Sequence, residues 1–205
     1  MDEDVEFLTL HCLTMKQLAS PAHVEAIVGV PAAEAKAALG RLVENGEVKE
    51  ARGNFVLMPA GRERLAARYG EIYKAVRQSD GFTGTYSRFE RVNADLKKLV
   101  TDWQMMTVAG QLTPNDHSDA DYDNKIIDRL CALHDRVEPI LDAFAAEVPR
   151  LTRHKDRLDA ALTRVSAEGD RDYVSGVRVD SYHTVWFELH EDLLRMLGRE
   201  REDAP

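Results

Sequence analysis

The sequence predicts a mainly α-helical protein in two parts. The first is a small domain of three helices and a β-hairpin, and the second is a bundle-like domain of four or five longer helices. Three observations carry that reading. Apolar residues recur at every third or fourth position through most of the 205 residues. Proline and glycine stand at the ends of these stretches, closely spaced over the first 80 residues and sparsely afterwards. Charge divides as well: residues 1–100 hold 14 basic and 14 acidic side chains, the remainder 13 and 22, so the net charge of −9 belongs entirely to the second half.

The first part, residues 1–80, justifies its elements one by one. Val5 to Leu18 reads as a helix with Val5, Leu8, Cys12 and Met15 on one side. Ser20 is a cap and Pro21 a first helical residue for a short helix, Ala22–Val28, that stops at Gly29. Pro31 opens a third helix running to Asn45, with Gly46 placed to take a left-handed conformation behind it. Glu47–Ala51 and Phe55–Met58 read as strands joined through Arg52-Gly53-Asn54. Pro59-Ala60-Gly61 then starts a helix carrying Leu65, Tyr69, Ile72 and Tyr73.

Two passages give this order of elements a relative. AAEAKAALGRLVENGEV (32–48) resembles the third helix of a winged helix-turn-helix domain and its exit into the wing. FVLMPAGRERLAARY (55–69) resembles the passage that closes the wing in MarR- and PadR-type regulators. The resemblance implies a winged helix over residues 1–80 that binds operator DNA as a homodimer, with the third helix reading bases. On that view Lys16, Lys36, Arg41, Lys49, Arg52, Arg62 and Arg64 are the DNA-contact candidates. The residues themselves pull the other way. With Ala35, Leu39 and Leu42 turned to the core, the third helix shows Ala32, Ala33, Lys36 and Ala37 outward, whereas bases are read by Arg, Lys, Asn and Gln. The seven candidates also stand against ten acidic residues within positions 1–70, where a DNA binder usually carries a basic footprint.

The second part spans residues 81–198, followed by a tail at 199–205 expected to fray. Phe82, Tyr86, Phe89, Val92, Leu96, Leu99 and Trp103 make one apolar stripe. A turn-rich loop, GQLTPNDHSDADYD (110–123), leads to a helix with Ile127, Leu130, His134, Val137, Leu141 and Phe144. After Pro149 comes a helix with Leu151, Leu158, Leu162 and Val165. Beyond Gly169-Asp170 a last helix starts near Ser181 and ends at Gly198. From residue 82 onward the pattern contains no strand. Bundles of this kind place ligands between helices. The expected effector pocket is drawn from Tyr86, Asn93, Trp103, His134, Tyr182, His183, Trp186 and His190.

Residues 115–123 crowd four carboxylates and one imidazole. A calcium-binding EF-hand is excluded, because Asn124 and Leu130 stand where its glycine and glutamate belong. The favoured reading is a helix N-terminus capped by Ser118 or Asp119. No metal is expected, with Asp116, His117 and Asp121 the candidates were an ion held there. No cofactor is expected either. An enzyme is the less favoured class, since the chain has no P-loop, dinucleotide fingerprint, nucleophile elbow or metalloprotease motif. Cys12 and Cys131 lie within apolar helical patterns and read as buried thiols. The acidic opening MDEDVEF and the lack of a long apolar run predict a cytoplasmic protein without a membrane partner.

The segments NDHSDADYD and DSYHTVWFELHEDLL are also similar to parts of winged-helix/helical proteins associated with phosphoenolpyruvate-utilising phosphotransferases. Two functions are therefore expected. The first is a dimeric, DNA-binding transcriptional regulator whose helical domain takes a small effector. The alternative is an accessory or interaction subunit of an enzyme complex that binds protein rather than DNA.

Overall fold

The computed structural model describes residues 3–108 and 110–200. They are mainly helical, with two small antiparallel hairpins. The chain forms two compact units. One comprises the chain up to Asp80 together with the chain from Glu188 onward, and the other is Gly81–Phe187.

In the first unit the local signals of the sequence set the element ends. Helix α1 (Val5–Lys16) starts at Asp4, whose carboxylate accepts from Phe7 N at 2.8 Å. Ser20 caps α2 (Pro21–Val28) in a reciprocal capping box with His23, and Gly29 ends it in left-handed geometry. Helix α3 (Ala32–Glu44) buries Ala35, Ala38, Leu39 and Leu42. Strands β1 (Val48–Ala51) and β2 (Asn54–Leu57) pair in register Val48↔Leu57 to Ala51↔Asn54. Arg52 (φ 54°) and Gly53 (φ 77°) both take positive φ, as a two-residue hairpin turn requires. Ala19 adds a bridge to the hairpin, exchanging both backbone hydrogen bonds with Phe55.

Helix α4 (Pro59–Ile72) follows, then the short α5 (Lys74–Gln78). Gly61 lets α4 approach the hairpin, because a Cβ there would collide with the Glu47 carbonyl oxygen and the Leu57 side chain. One expectation is corrected in α1. Instead of a single apolar side, nearly every residue from Phe7 to Met15 is buried, including Thr9 and His11, so the helix is covered all round.

The second unit begins with α6 (Asp80–Gln104), which buries the whole expected stripe and, beside it, Thr85, Asn93 and Val100. A hairpin follows where no strand was expected: β3 (Met105–Val108) pairs with β4 (Gln111–Pro114). The apolar period stops at Trp103, and β-branched Thr107 and Val108 before Gly110 (φ 82°) favour extended chain and a turn. Then come α7 (Ala120–Glu147), a 3-10 turn at Pro149–Leu151, α8 (Thr152–Ser166), α9 (Asp172–Ser175) and α10 (Tyr182–Leu197). The core gathers Phe82, Phe89, Phe144, Tyr182 and Trp186, with the Phe89 and Trp186 rings stacked at 4.8 Å.

Helix α10 serves both units, its first residues belonging to the second and the stretch from Glu188 to the first. The sequence assigns that stretch to the helical domain, because periodicity reports a buried face without naming what covers it. Of the tail expected at 199–205, residues 201–205 lie outside the described residues. No described helix is long and apolar enough to cross a membrane.

Candidate functional site

The surface that the sequence singles out is the outer face of α3 with the hairpin beside it. Ala33, Glu34, Lys36, Ala37, Gly40 and Arg41 are exposed there, as the helical period dictates once Ala35, Leu39 and Leu42 are buried. Ala32 is half-buried. The exposed centre of the helix is therefore a strip of alanine and glycine, with Val43 36% exposed near its end.

The seven basic candidates are not equivalent. Arg41 Nε donates to Glu6 Oε1 at 2.8 Å, and Arg64 donates to Glu6 Oε2 at 2.7 Å and to Glu47 Oε2 at 2.8 Å. These bonds, from Arg41 first and Arg64 second, hold the Glu6 carboxyl below the usual glutamate range; the contact with Glu6 raises Arg64 in turn. Lys16 Nζ donates to Glu188 Oε1 at 2.8 Å, and Glu188 is buried. Arg62 donates to the Leu57 carbonyl oxygen at 3.0 Å. Lys36, Lys49 and Arg52 are exposed and pair with no carboxylate among the described residues. Exposed Glu34, Glu44 and Glu50 lie on the same helix and strand. Charge on this face nearly cancels.

Comparison of the chain with known protein families, with curated proteins and with solved structures returned no match.

The eight residues expected to line an effector pocket are dispersed in their roles. Tyr86, Asn93, Trp103, Tyr182 and Trp186 are buried in the second unit, and Trp186 Nε1 donates to Asn93 Oδ1 at 3.0 Å, so the buried amide oxygen has its partner within the core. His134 Nδ1 lies 3.1 Å from the Tyr182 hydroxyl, and its Nε2 lies 3.0 Å from Asp159 Oδ1. Burial pushes the Tyr182 hydroxyl far above the ordinary phenol range. It therefore stays protonated beside His134. His183 is half-buried, while His190 belongs to the other unit.

In the 115–123 segment, Asp119 is the helix cap and accepts from Asp121 N and Tyr122 N. Asp116 and Asp121 are exposed; Asp116 accepts from Ser118 N at 3.0 Å. His117, in positive φ (60°), packs its ring 4.5 Å from that of Trp103. The residue around which the segment is organised is Asp123, fully buried and held by Asn115 Nδ2 (2.9 Å), Arg171 Nη1 (3.0 Å) and His117 Nδ1 (3.1 Å). This cluster ties the hairpin exit, the start of α7 and the approach to α9. Among the described residues no group of three or more His, Cys, Asp or Glu side chains is placed to hold a metal ion.

The sequence reading passes over one constellation altogether. His11, with no exposure, places Nε2 2.9 Å from Asp192 Oδ1, also unexposed, and Nδ1 2.7 Å from the Tyr69 hydroxyl. A carboxylate only accepts, so Nε2 carries a proton, and in the neutral imidazole Nδ1 accepts from Tyr69. A histidine flanked by Leu10, Cys12 and Leu13 was the available signal, since a buried imidazole needs partners.

Proposed function

We propose that the chain is an accessory subunit whose N-terminal unit is a winged helix that docks a protein, with the outer face of α3 as the contact surface. The observation that carries the reading is the exposed strip Ala33, Ala37 and Gly40, bordered by charges that cancel. Small side chains allow a partner's backbone to come close, and a nearly neutral face gives up little counterion release on a phosphate backbone. The commitment of Arg41 and Arg64 to Glu6 and Glu47 adds to it, because both arginines would have to leave carboxylates to reach DNA. The similarity of residues 115–123 and 180–194 to segments of proteins associated with phosphoenolpyruvate-utilising phosphotransferases makes an enzyme of that class the first partner to test.

A second reading, a DNA-binding transcriptional regulator, is favoured by Lys36, Lys49 and Arg52, which stand clear of carboxylates on α3 and at the hairpin. One substitution separates the two. Ala37→Arg puts a bulky cation at the centre of the strip. Under the docking reading it abolishes co-purification with the product of a neighbouring enzyme gene, and the wild-type chain fails to retard DNA from its own upstream region at about 50 mM salt. Retardation by the wild type, steeply weakened by salt and strengthened by Ala37→Arg, would overturn docking in favour of DNA.

A further inference from the structure

The first unit contains a cleft of about 640 Å³ walled by α1, β2, α4 and the end of α10. Its size falls within the range of small-molecule sites. Its lining is chemically lopsided. Buried Leu13, Leu57 and Leu65 supply apolar surface, Arg62 and Arg195 supply two guanidinium groups, and no carboxylate is among the lining residues. Arg62 spends one N–H on the Leu57 carbonyl oxygen and has no carboxylate partner among the described residues. Arg195 is 41% exposed, with Glu191, one helical turn earlier, at 3.5 Å. Each guanidinium therefore keeps donors for a planar or tetrahedral anion.

Tyr69 forms one wall, and the buried pair His11–Asp192 fixes its ring from behind through the 2.7 Å and 2.9 Å contacts already described. Gln17 also lines the cleft, and its backbone is strained. Its φ of 57° and ψ of −43° make it the centre of a γ-turn of the rare handedness, closed by the 2.6 Å bond from Leu18 N to Lys16 O. Strain of this kind persists where surrounding structure holds it, and such places are enriched in ligand sites.

We propose that this cleft binds a small organic anion, a carboxylate or phosphate ester on an apolar body. Its charge lies between Arg62 and Arg195, and its body lies on Leu13, Leu57, Leu65 and the Tyr69 ring. Helix α3 contributes nothing to the cleft, so the site stands or falls independently of the docking reading.

Calorimetric titration of the full chain tests it with phenyl phosphate and benzoate, set against inorganic phosphate (the charge without the body) and benzyl alcohol (the body without the charge). At least one aromatic anion is expected to bind one site about tenfold or more tighter than either control. Which anion is tighter distinguishes a phosphate site from a carboxylate site. Arg62→Gln and Arg195→Gln are each expected to weaken that binding about fivefold or more. Tyr69→Phe, which keeps the ring, is expected to leave it within about twofold, whereas Tyr69→Ala loses it. Both arginine side chains are exposed, so their variants are expected to melt as the wild type does by circular dichroism. Amide resonances of Thr14, Gln17 and Ala66 are expected to shift during the titration. The proposal is overturned if neither aromatic anion binds, if inorganic phosphate matches them, or if both arginine variants bind like the wild type.

Discussion

Each unit of the molecule brings an aspartate, a histidine and a tyrosine together, and the order of exposure along the two strings is reversed. In the first unit Asp192 and His11 are unexposed and Tyr69 is the half-exposed end. In the second, Tyr182 is unexposed, His134 is 7% exposed and Asp159 is the open end at 44%. The same three side-chain types thus do different work according to which of them meets water. A buried carboxylate that fixes an exposed tyrosine offers a preset phenol ring to a ligand. A buried tyrosine that steadies a histidine from inside the core offers nothing outward and serves packing. Residue types alone do not distinguish the cases; the exposure of the terminal member does.

The comparison breaks most visibly at Asp192. Asp192→Ala leaves the Nε2–H of an unexposed imidazole without its acceptor, and stranding a buried donor costs about 1–3 kcal/mol. Asp192→Asn keeps an acceptor oxygen and is expected to cost less than half as much. Urea unfolding followed by far-UV circular dichroism measures both. A loss under about 1 kcal/mol for Asp192→Ala would mean that the two strings do not differ in kind.

That string also marks how far the sequence was legible. Ser20-Pro21, Gly29, Gly46 and Arg52-Gly53 act within a few residues of where they stand, and the first unit's elements begin and end there. His11 meets Tyr69 at 58 residues' separation and Asp192 at 181, and no periodicity reports a partner that far off. The basic candidates show the same divide. Composition counts Arg41 and Arg64 as cations, whereas only the fold shows that Glu6, 35 and 58 residues away, takes both. The β3–β4 hairpin is illegible in the sequence for a different reason: its strands are four residues each, too short to show a period beside a 25-residue helix.

The Glu6 network gives the next largest effect and carries a sign. Hydrogen bonds from Arg41 and Arg64 depress the carboxyl in the folded state. Its contribution is therefore complete above the ordinary glutamate range and disappears as pH falls through the depressed folded value. Glu6→Gln is expected to cost about 1–2 kcal/mol near neutrality, as a partly buried carboxylate shared by two arginines. As the pH is lowered from about 6 to 3, the wild type is expected to lose that margin and the two unfolding curves to converge. Curves that stay parallel would show that the network contributes nothing. The same substitution releases Arg41 toward the α3 face. Stronger DNA retention by Glu6→Gln than by the wild type would favour the regulator reading.

The smallest effect belongs to Asp159, and it is the one that most sharpens the contrast. Asp159 is 44% exposed and its oxygen 3.0 Å from His134 Nε2 makes no hydrogen bond, while the contact between Tyr182 and Nδ1 remains when the carboxylate is gone. No hydrogen bond is lost with that oxygen, so Asp159→Ala is expected to cost under about 1 kcal/mol. The two tryptophans, Trp103 and Trp186, both belong to the second unit, so fluorescence during urea unfolding follows the surroundings of Asp159. Equal losses for Asp159→Ala and Asp192→Ala would show that exposure of the carboxylate does not govern these strings. The reason for assigning a ligand wall to Tyr69 and a packing role to Tyr182 would then fall with it. A loss at Asp192 several times that at Asp159 follows from burial together with geometry, because Asp192 is a hydrogen-bonded acceptor of His11 whereas the Asp159 oxygen beside His134 makes no hydrogen bond.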